Sequence, residues 1–391
     1  MAALVNRKEQ GILSLVVNPS LRLGIEEEYL IVDAQSADLV RKPDPEFMKL
    51  CQKELGSRVT NEYLQCQLEI GTSPQHTVSA AATELLELRK TVTRVGSQFG
   101  YAIIASSTHP FSKWRSQTHT RKERYDALRA DLGQTARRLL ICGMHIHIEI
   151  EDPDLRVDLM SQATYFLPHL LALSCSSPFW EGDDTVLSSY RLTVFDSLPR
   201  TGLPDPLESY SAYEALLSHM IGAGCIEDAT KLWWDVRPSA KFPTLEQRIT
   251  DVCSRFEDAV AIVATFQSLV AFLYGLRSAN QRWRNYPPTL VNENRWLAQR
   301  YGCTGSMIDL GKGQLVPFRD LVEELIELLS PHASALGCLD ELKHIRHIAE
   351  HGNSSVRQRQ AYKQAVDSGD GHTDALRKVV RHLVSEFLPA E

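Results

Sequence analysis

In four stretches of the chain, hydrophobic side chains recur at every second position, and such alternation predicts strands whose two faces differ. Within residues 21–32, Leu23, Ile25, Tyr29 and Ile31 fall on one side and Glu26 and Glu28 on the other. Residues 65–70 set Cys66, Leu68 and Ile70 against Gln67 and Glu69. At 140–150, Cys142, Met144, Ile146, Ile148 and Ile150 oppose Gly143, His145, His147 and Glu149, and at 244–250 Glu246 and Arg248 share a face. Each strand therefore has one polar side bearing ligand-type residues. Glu27 falls among apolar side chains, so it needs a partner of its own there unless the strand's register differs.

Apolar residues at three- and four-residue spacing predict helices at 80–99, 156–173, 211–221, 250–282, 318–329 and 374–387. Asp152-Pro153, Pro199, Pro204, Pro287-Pro288 and the stretch from Gly311 to Gly313 mark turns between them. Strand and helix patterns mix over the first two thirds, while the chain from about residue 250 reads almost entirely helical. The expected fold class is α+β, with helices covering one face of a sheet and a helical C-terminal region. No repeat, low-complexity tract or linker divides the chain, so 1–391 is read as one domain with tails at 1–20 and 388–391.

The 391 residues are 43% hydrophobic and 23% charged, as in soluble globular proteins. A formal net charge of -7 argues against a nucleic-acid partner, which would need clustered Lys and Arg. The eight cysteines are scattered without a CxxC spacing and read as reduced thiols of a cytoplasmic protein. No signal peptide is visible at the N-terminus. Residues 259–276 are nearly all apolar, but with Arg255, Glu257 and Asp258 before them and Arg277 after, they read as a buried core helix, and no membrane partner is expected.

Carboxylates at i and i+2 on a strand stand roughly 6–7 Å apart on one face, which suits shared or neighbouring cations. Glu26 and Glu28 meet that spacing, as would a merely solvated strand face. His145 and His147 put two imidazoles opposite a continuous apolar face. Imidazoles alone suggest zinc, whereas several glutamates beside them make the set oxygen-rich and lean to magnesium or manganese. Glu246 and Arg248 pair a carboxylate with a guanidinium fork, an arrangement suited to a metal-neutralised phosphate or to an ordinary ion pair. Asp235 and Arg237 allow the same two readings, and Arg191 has no independent signal. The P-loop, dinucleotide and nucleophile-elbow motifs are missing, so any ATP would be held by metals and arginines on a sheet.

The ordered set of segments resembles the bacterial carboxylate-amine ligase family, also called glutamate-cysteine ligase type 2, whose fold is that of glutamine synthetase. The matching stretches are Leu23-Gly24-Ile25-Glu26-Glu27-Glu28, Leu68-Glu69, Thr108-His109-Pro110-Phe111-Ser112-Lys113-Trp114 and Gly143-Met144-His145-Ile146-His147. Leu170-Leu171-Ala172-Leu173-Ser174, Ser176-Ser177-Pro178, Trp234-Asp235-Val236-Arg237-Pro238-Ser239, Glu246-Gln247-Arg248 and Arg300-Tyr301-Gly302 follow in family order.

The resemblance implies an antiparallel sheet curved into a saddle or funnel, helices outside it, and an active site on the concave face. By family pattern, Glu26, Glu28, Glu69, His145 and Glu246 are similar to the ligands of ATP-bound magnesium, with His147 and His109 as further candidates. Arg248 matches the arginine that meets the transferred phosphate, and Arg191 and Arg237 stand where arginines reach substrate or nucleotide. The implied reaction uses ATP and Mg2+, with Mn2+ as a substitute, to join glutamate to cysteine or another amine through an acyl phosphate. The implied partners are these small molecules and, as is frequent in the family, further copies of the chain. Two other readings stand beside it: a zinc-dependent amide hydrolase using His145, His147 and a glutamate, and a nucleotide-binding protein without turnover. Gln247 departs from the apolar residue frequent at its position and is expected to point away from the ligands. Glu26 and Glu246 are both expected on a polar, solvent-reachable face.

Overall fold

The structure, a computed structural model, describes residues 18–389, without the side chains of residues 124, 127 and 128. Of the expected tails, 1–17 and 390–391 lie outside the described residues. Residues that do belong to those tails are tied down: the Ser20 amide donates to Glu151 at 3.1 Å, and Leu388 packs on the core.

The alternating stretches form strands of one sheet. In chain order they are β1 (Leu23–Asp33), β2 (Val59–Asn61), β3 (Gln67–Gly71), β4 (Tyr101–Ile104), β5 (Met144–Glu149), β6 (Val236–Pro238) and β7 (Thr244–Gln247). The spatial order is β6-β7-β5-β1-β3-β2, with β4 pairing the far end of β1, and every pairing is antiparallel. The sheet is antiparallel throughout, as the resemblance implied, and it is open.

Register brings the polar side chains into rows. Arg237 lies opposite Glu246, Glu246 opposite His147, and His147 opposite Gly24. In the next row His145 faces Glu26 and Glu26 faces Gly71. In the third, Glu28 faces Glu69 and Glu69 faces Thr60. Because each strand alternates, these rows share one face and the apolar residues share the other. Leu23, Ile25, Tyr29, Leu68, Ile70, Met144, Ile146 and Leu245 are buried on that second face, against which the helices Val78–Ser97 and Phe256–Ser278 pack.

Glu27 keeps the register read from alternation and finds its partner in Arg89 of the helix Val78–Ser97. Both side chains are fully buried. The guanidinium meets the carboxylate at 2.7 Å and 3.0 Å and donates on to the carbonyls of Cys253, Ser254 and Phe387.

Helix Phe256–Ser278 is the core helix that 259–276 predicted. It alone among the described residues is long and apolar enough to cross a membrane, but 72% of its apolar window is buried in the protein. Pro153–Ala163, Leu167–Ser174, Phe318–Leu336 and Leu339–His351 pack around it. It starts at Phe256 rather than residue 250 because Asp251 is engaged elsewhere, accepting from the Ser176 amide and the Ser177 and Ser189 hydroxyls at 2.8, 2.7 and 2.9 Å. The helix expected at 156–173 is two, joined by a 3-10 turn at Thr164–Phe166, with Pro168 in the first turn of the second, where its missing N–H leaves no gap in the bonding. The one expected to stop at 329 continues through Pro331 to Leu336, ending where Gly337 takes a left-handed conformation at φ 71°.

Candidate active site

Three side chains approach one another at the β1–β3 side of the polar face. Oxygens of Glu28, Glu62 and Glu69 lie within 4.8 Å of one another, a spacing from which one cation can be reached by all three. Glu28 and Glu69 are cross-strand neighbours, so register alone brings them together. Glu62 comes from the turn after β2 and was not among the residues expected from the sequence. Burial drives the Glu28 carboxyl up to about 7, reinforced by the charge of Glu62. Burial and the charges of Glu62, Glu26 and Glu28 push Glu69 well above the usual carboxylate range. Such a cluster holds protons because burial and mutual repulsion outweigh the charges of Arg191 and Arg248 on Glu28.

Glu26 lies between the two imidazoles. His145 Nδ1 is 3.4 Å from one of its oxygens, and His147 Nε2 is 3.6 Å from the other, too long for a good hydrogen bond. His147 is oriented by a 2.9 Å bond between Nδ1 and Thr244 Oγ1, which leaves its buried Nε2 without a hydrogen-bond partner. Burial opposes the charge on Glu26, but the two histidines outweigh it and hold this carboxyl far below the ordinary range. Burial, aided by Arg248, pushes His145 down to about 4, so it is a neutral imidazole near pH 7 and fit to ligate.

Glu246 is clamped by two arginines. Arg237 bonds both its oxygens, at 2.9 and 3.1 Å, and Arg248 bonds one of them. Burial opposes ionisation here too, yet Arg248 and Arg237 keep the carboxylate charged. Glu246 is only 3% exposed, which corrects the expectation of a solvent-reachable face: its arginines close over it. The buried Nε of Arg248 has no partner, so one donor of this pair remains available.

Arg191 is buried beside the cluster. Its guanidinium donates to the carbonyls of Ile249 and Arg248, both at 3.2 Å, and lies against Gly143. A Cβ at Gly143 would stand 2.5 Å from Arg191 Nη2, so only glycine admits this approach. The Gly143 amide in turn donates to Glu28 at 2.7 Å.

The remaining sequence candidates fall elsewhere. His109 is fully buried. One ring nitrogen meets the Ala37 carbonyl at 3.1 Å and the other accepts from the Ser112 amide at 3.0 Å, so it braces a loop and is not brought to the carboxylate face. Asp235 is buried in an ion pair with Arg295 at 2.6 Å. Gln247 lies on the apolar face beside Thr250, away from the carboxylates as expected.

The polar face is thus a set of five carboxylates, two imidazoles and three arginines. Converging hard oxygen donors fit Mg2+ once their protons are displaced, and the buried His147 Nε2 and Arg248 Nε are polar atoms without a hydrogen-bond partner.

Residues 22–382 match the sequence profile of "Glutamate-cysteine ligase family 2" (GCS2). A Ruegeria pomeroyi protein named "Putative glutamate--cysteine ligase 2" is 52% identical over 372 residues, which cover 95% of this chain and 96% of its own. A protein of the same name from Rhodospirillum rubrum is 49% identical over 372 residues, 94% of this chain and 96% of its own. Among solved structures, the glutamate-cysteine ligase of Francisella tularensis in complex with AMP superimposes with a TM-score of 0.68 over 94% of this chain and 89% of that one. At 14% identity that likeness is one of fold. By profile and by relatives alike, matched over nearly the whole described length, the chain belongs to glutamate-cysteine ligase family 2.

Proposed function

We propose that the protein is an ATP-dependent ligase that joins the side-chain carboxylate of glutamate to the amine of cysteine or a related compound, forming a γ-glutamyl amide. The observation that carries this reading is the convergence of Glu28, Glu62 and Glu69 beside the arginine-clamped Glu246. Glu28, Glu62 and Glu69, with Glu26, His145 and Glu246 next to them, would hold Mg2+. That cation would supply the positive charge a triphosphate needs before an anion can approach it.

Arg248 and Arg237 are the residues for the phosphoryl group in flight, since rigid guanidinium forks match phosphate oxygens. A carboxylate oxygen of glutamate attacks the γ-phosphorus and ADP leaves, giving an acyl phosphate. The amine then attacks the carbonyl carbon and phosphate departs with the C–O bonding electrons, while the amine's proton passes to solvent or a nearby base. Arg191, fixed by two carbonyls and Gly143, stands beside Glu28 to position the glutamate. Holding both reactants converts a bimolecular encounter into a positioned one. The eight free thiols of the structure agree with a reducing, cytoplasmic setting.

The test is ADP release with glutamate fixed and the amine varied. ADP and phosphate are expected only when Mg2+, glutamate and a suitable amine are all present. Folded protein that releases no ADP across a broad amine panel would sink the proposal. Amide hydrolysis by zinc-loaded protein in the absence of ATP would turn the reading to the two histidines instead.

A further inference from the structure

The helix Leu339–His351 packs inward through Leu342, Ile345 and Ile348, all fully buried, and turns its other side to the surface. Three histidines share that side at three- and four-residue spacing: His344, His347 and His351. His344 is half-buried and the other two are exposed. Their rings form a ladder, with centroids 5.1 Å apart for His344 and His347, and 4.2 Å apart and nearly parallel, at 23°, for His347 and His351.

Helix formation does not account for imidazoles here, since histidine is a mediocre helix former. A cation in the last turn is favoured by the helix dipole, but lysine or arginine supplies that charge. Imidazoles in contact repel one another when protonated. Burial, with the charges of His351 and His344, holds His347 below the ordinary histidine value, and a neutral imidazole is a metal ligand.

The remaining ring nitrogens are engaged as in metal-ligating histidines, which give one nitrogen to a carboxylate or backbone carbonyl and the other to the ion. His351 Nδ1 meets the His347 carbonyl at 3.2 Å, which leaves Nε2 for a ligand. His344 Nε2 meets Asp258 of the core helix Phe256–Ser278 at 2.9 Å, and Arg357 holds that carboxylate in turn at 2.9 Å. The inner rung is thus anchored, while the outer two are able to turn. The last torsion of a histidine side chain is broad, so rotating two stacked rings until their lone pairs converge costs little. Paired histidines four residues apart are the spacing by which helices hold zinc.

We propose that His347 and His351 bind a transition-metal cation of the zinc, nickel and copper class, with water completing its shell, at a site separate from the carboxylate face. Imidazole donors select these ions over Mg2+. The ion staples the last turn of the helix, and the inference stands apart from the ligase reading.

The experiment titrates Zn2+ calorimetrically into wild type, the double variant His347→Gln/His351→Gln, and His147→Gln, with Mg2+ in excess throughout so that the carboxylate face is occupied. Wild type and His147→Gln are expected to share a zinc-binding event that the double variant lacks or shows at least about tenfold more weakly. Zinc-like binding in the double variant equal to that of wild type overturns the inference. Loss of the event in His147→Gln alone also overturns it, by giving the zinc to the carboxylate face, as does a wild type that takes up no zinc. Carbethoxylation of wild type, read by mass spectrometry, needs no variant: zinc should block modification of His347 and His351, and unchanged modification overturns the proposal.

Discussion

Burial and the charged neighbours that oppose it set the charge states of the site, and the consequences can be measured residue by residue. Glu28 and Glu69 keep protons in the fold that they would lose in the unfolded chain. Their contribution to stability is therefore whole below the ordinary carboxylate range and is lost as pH rises, through about 7 for Glu28. A cation binding there must displace those protons at low pH and need not at high pH. The rise in Tm on adding Mg2+ should thus be larger at about pH 8 than at about pH 6, as read by thermal unfolding with and without the metal; equal shifts would count against Glu28 and Glu69 as ligands. Glu26 and Glu246 have the opposite sign, contributing stability that is whole above the ordinary carboxylate range and is lost progressively as pH falls below it. They differ in setting, because the Glu26 side chain is 34% exposed and that of Glu246 only 4%. Glu26→Gln should abolish most ADP release with a smaller fall in Tm than Glu246→Gln, because solvent screens its charge more. Glu246→Gln should lose activity and also stability, on the order of 3 kcal/mol, since it strands two largely buried arginines; activity assays and denaturant unfolding of both variants check this. Alternation in the sequence exposed Glu26, Glu28, Glu69, His145, His147 and Glu246, because a period of two puts them on a shared face. Glu62 escaped it, lying in a turn where no periodicity operates.

At the scale of elements, β1, β3, β5 and β7 were legible because each alternates over several residues. β2 and β6 have three residues each, too few for a period to show, and β6 ends on a proline. Helix Pro45–Leu55 was missed although its start is written in local chemistry, with Asp44 accepting from the Glu46 amide at 2.9 Å and Pro45 in the first turn. Leu339–His351 carries Leu342, Ile345 and Ile348 at three-residue spacing and follows the same rule as the other helices, whereas Ser354–Asp367 has few apolar positions for a period to show. Gly143 shows how an element end can be specified by another element's side chain. Gly143→Ala should displace the Arg191 guanidinium and cut turnover by more than about tenfold, by the logic that a misplaced contact weakens positioning. Kinetics of this variant at saturating glutamate, with a folding control, would show it; near-normal turnover would mean that Arg191 does not need that seat.

Across the whole molecule, the carboxylate face is tied to the C-terminus through its back. Glu27, one residue from each of two candidate ligands, is held by Arg89, which also binds the carbonyls of Cys253, Ser254 and Phe387. Arg89→Met would leave a carboxylate buried without its counter-charge, and such removals cost about 3–5 kcal/mol. Urea unfolding should show that loss, and a variant as stable as wild type would remove Arg89 from its place as the tie. By itself the sequence determined the strand faces, the apolar core helix and the kinship with a ligase family, because periodicity and motif order are local properties of the chain. Only the tertiary structure decided that Glu62 joins Glu28 and Glu69 and that Arg89 answers Glu27. Those pairings join residues whose proximity depends on strand register and on how the turns and helices settle around the sheet, and no local pattern encodes that.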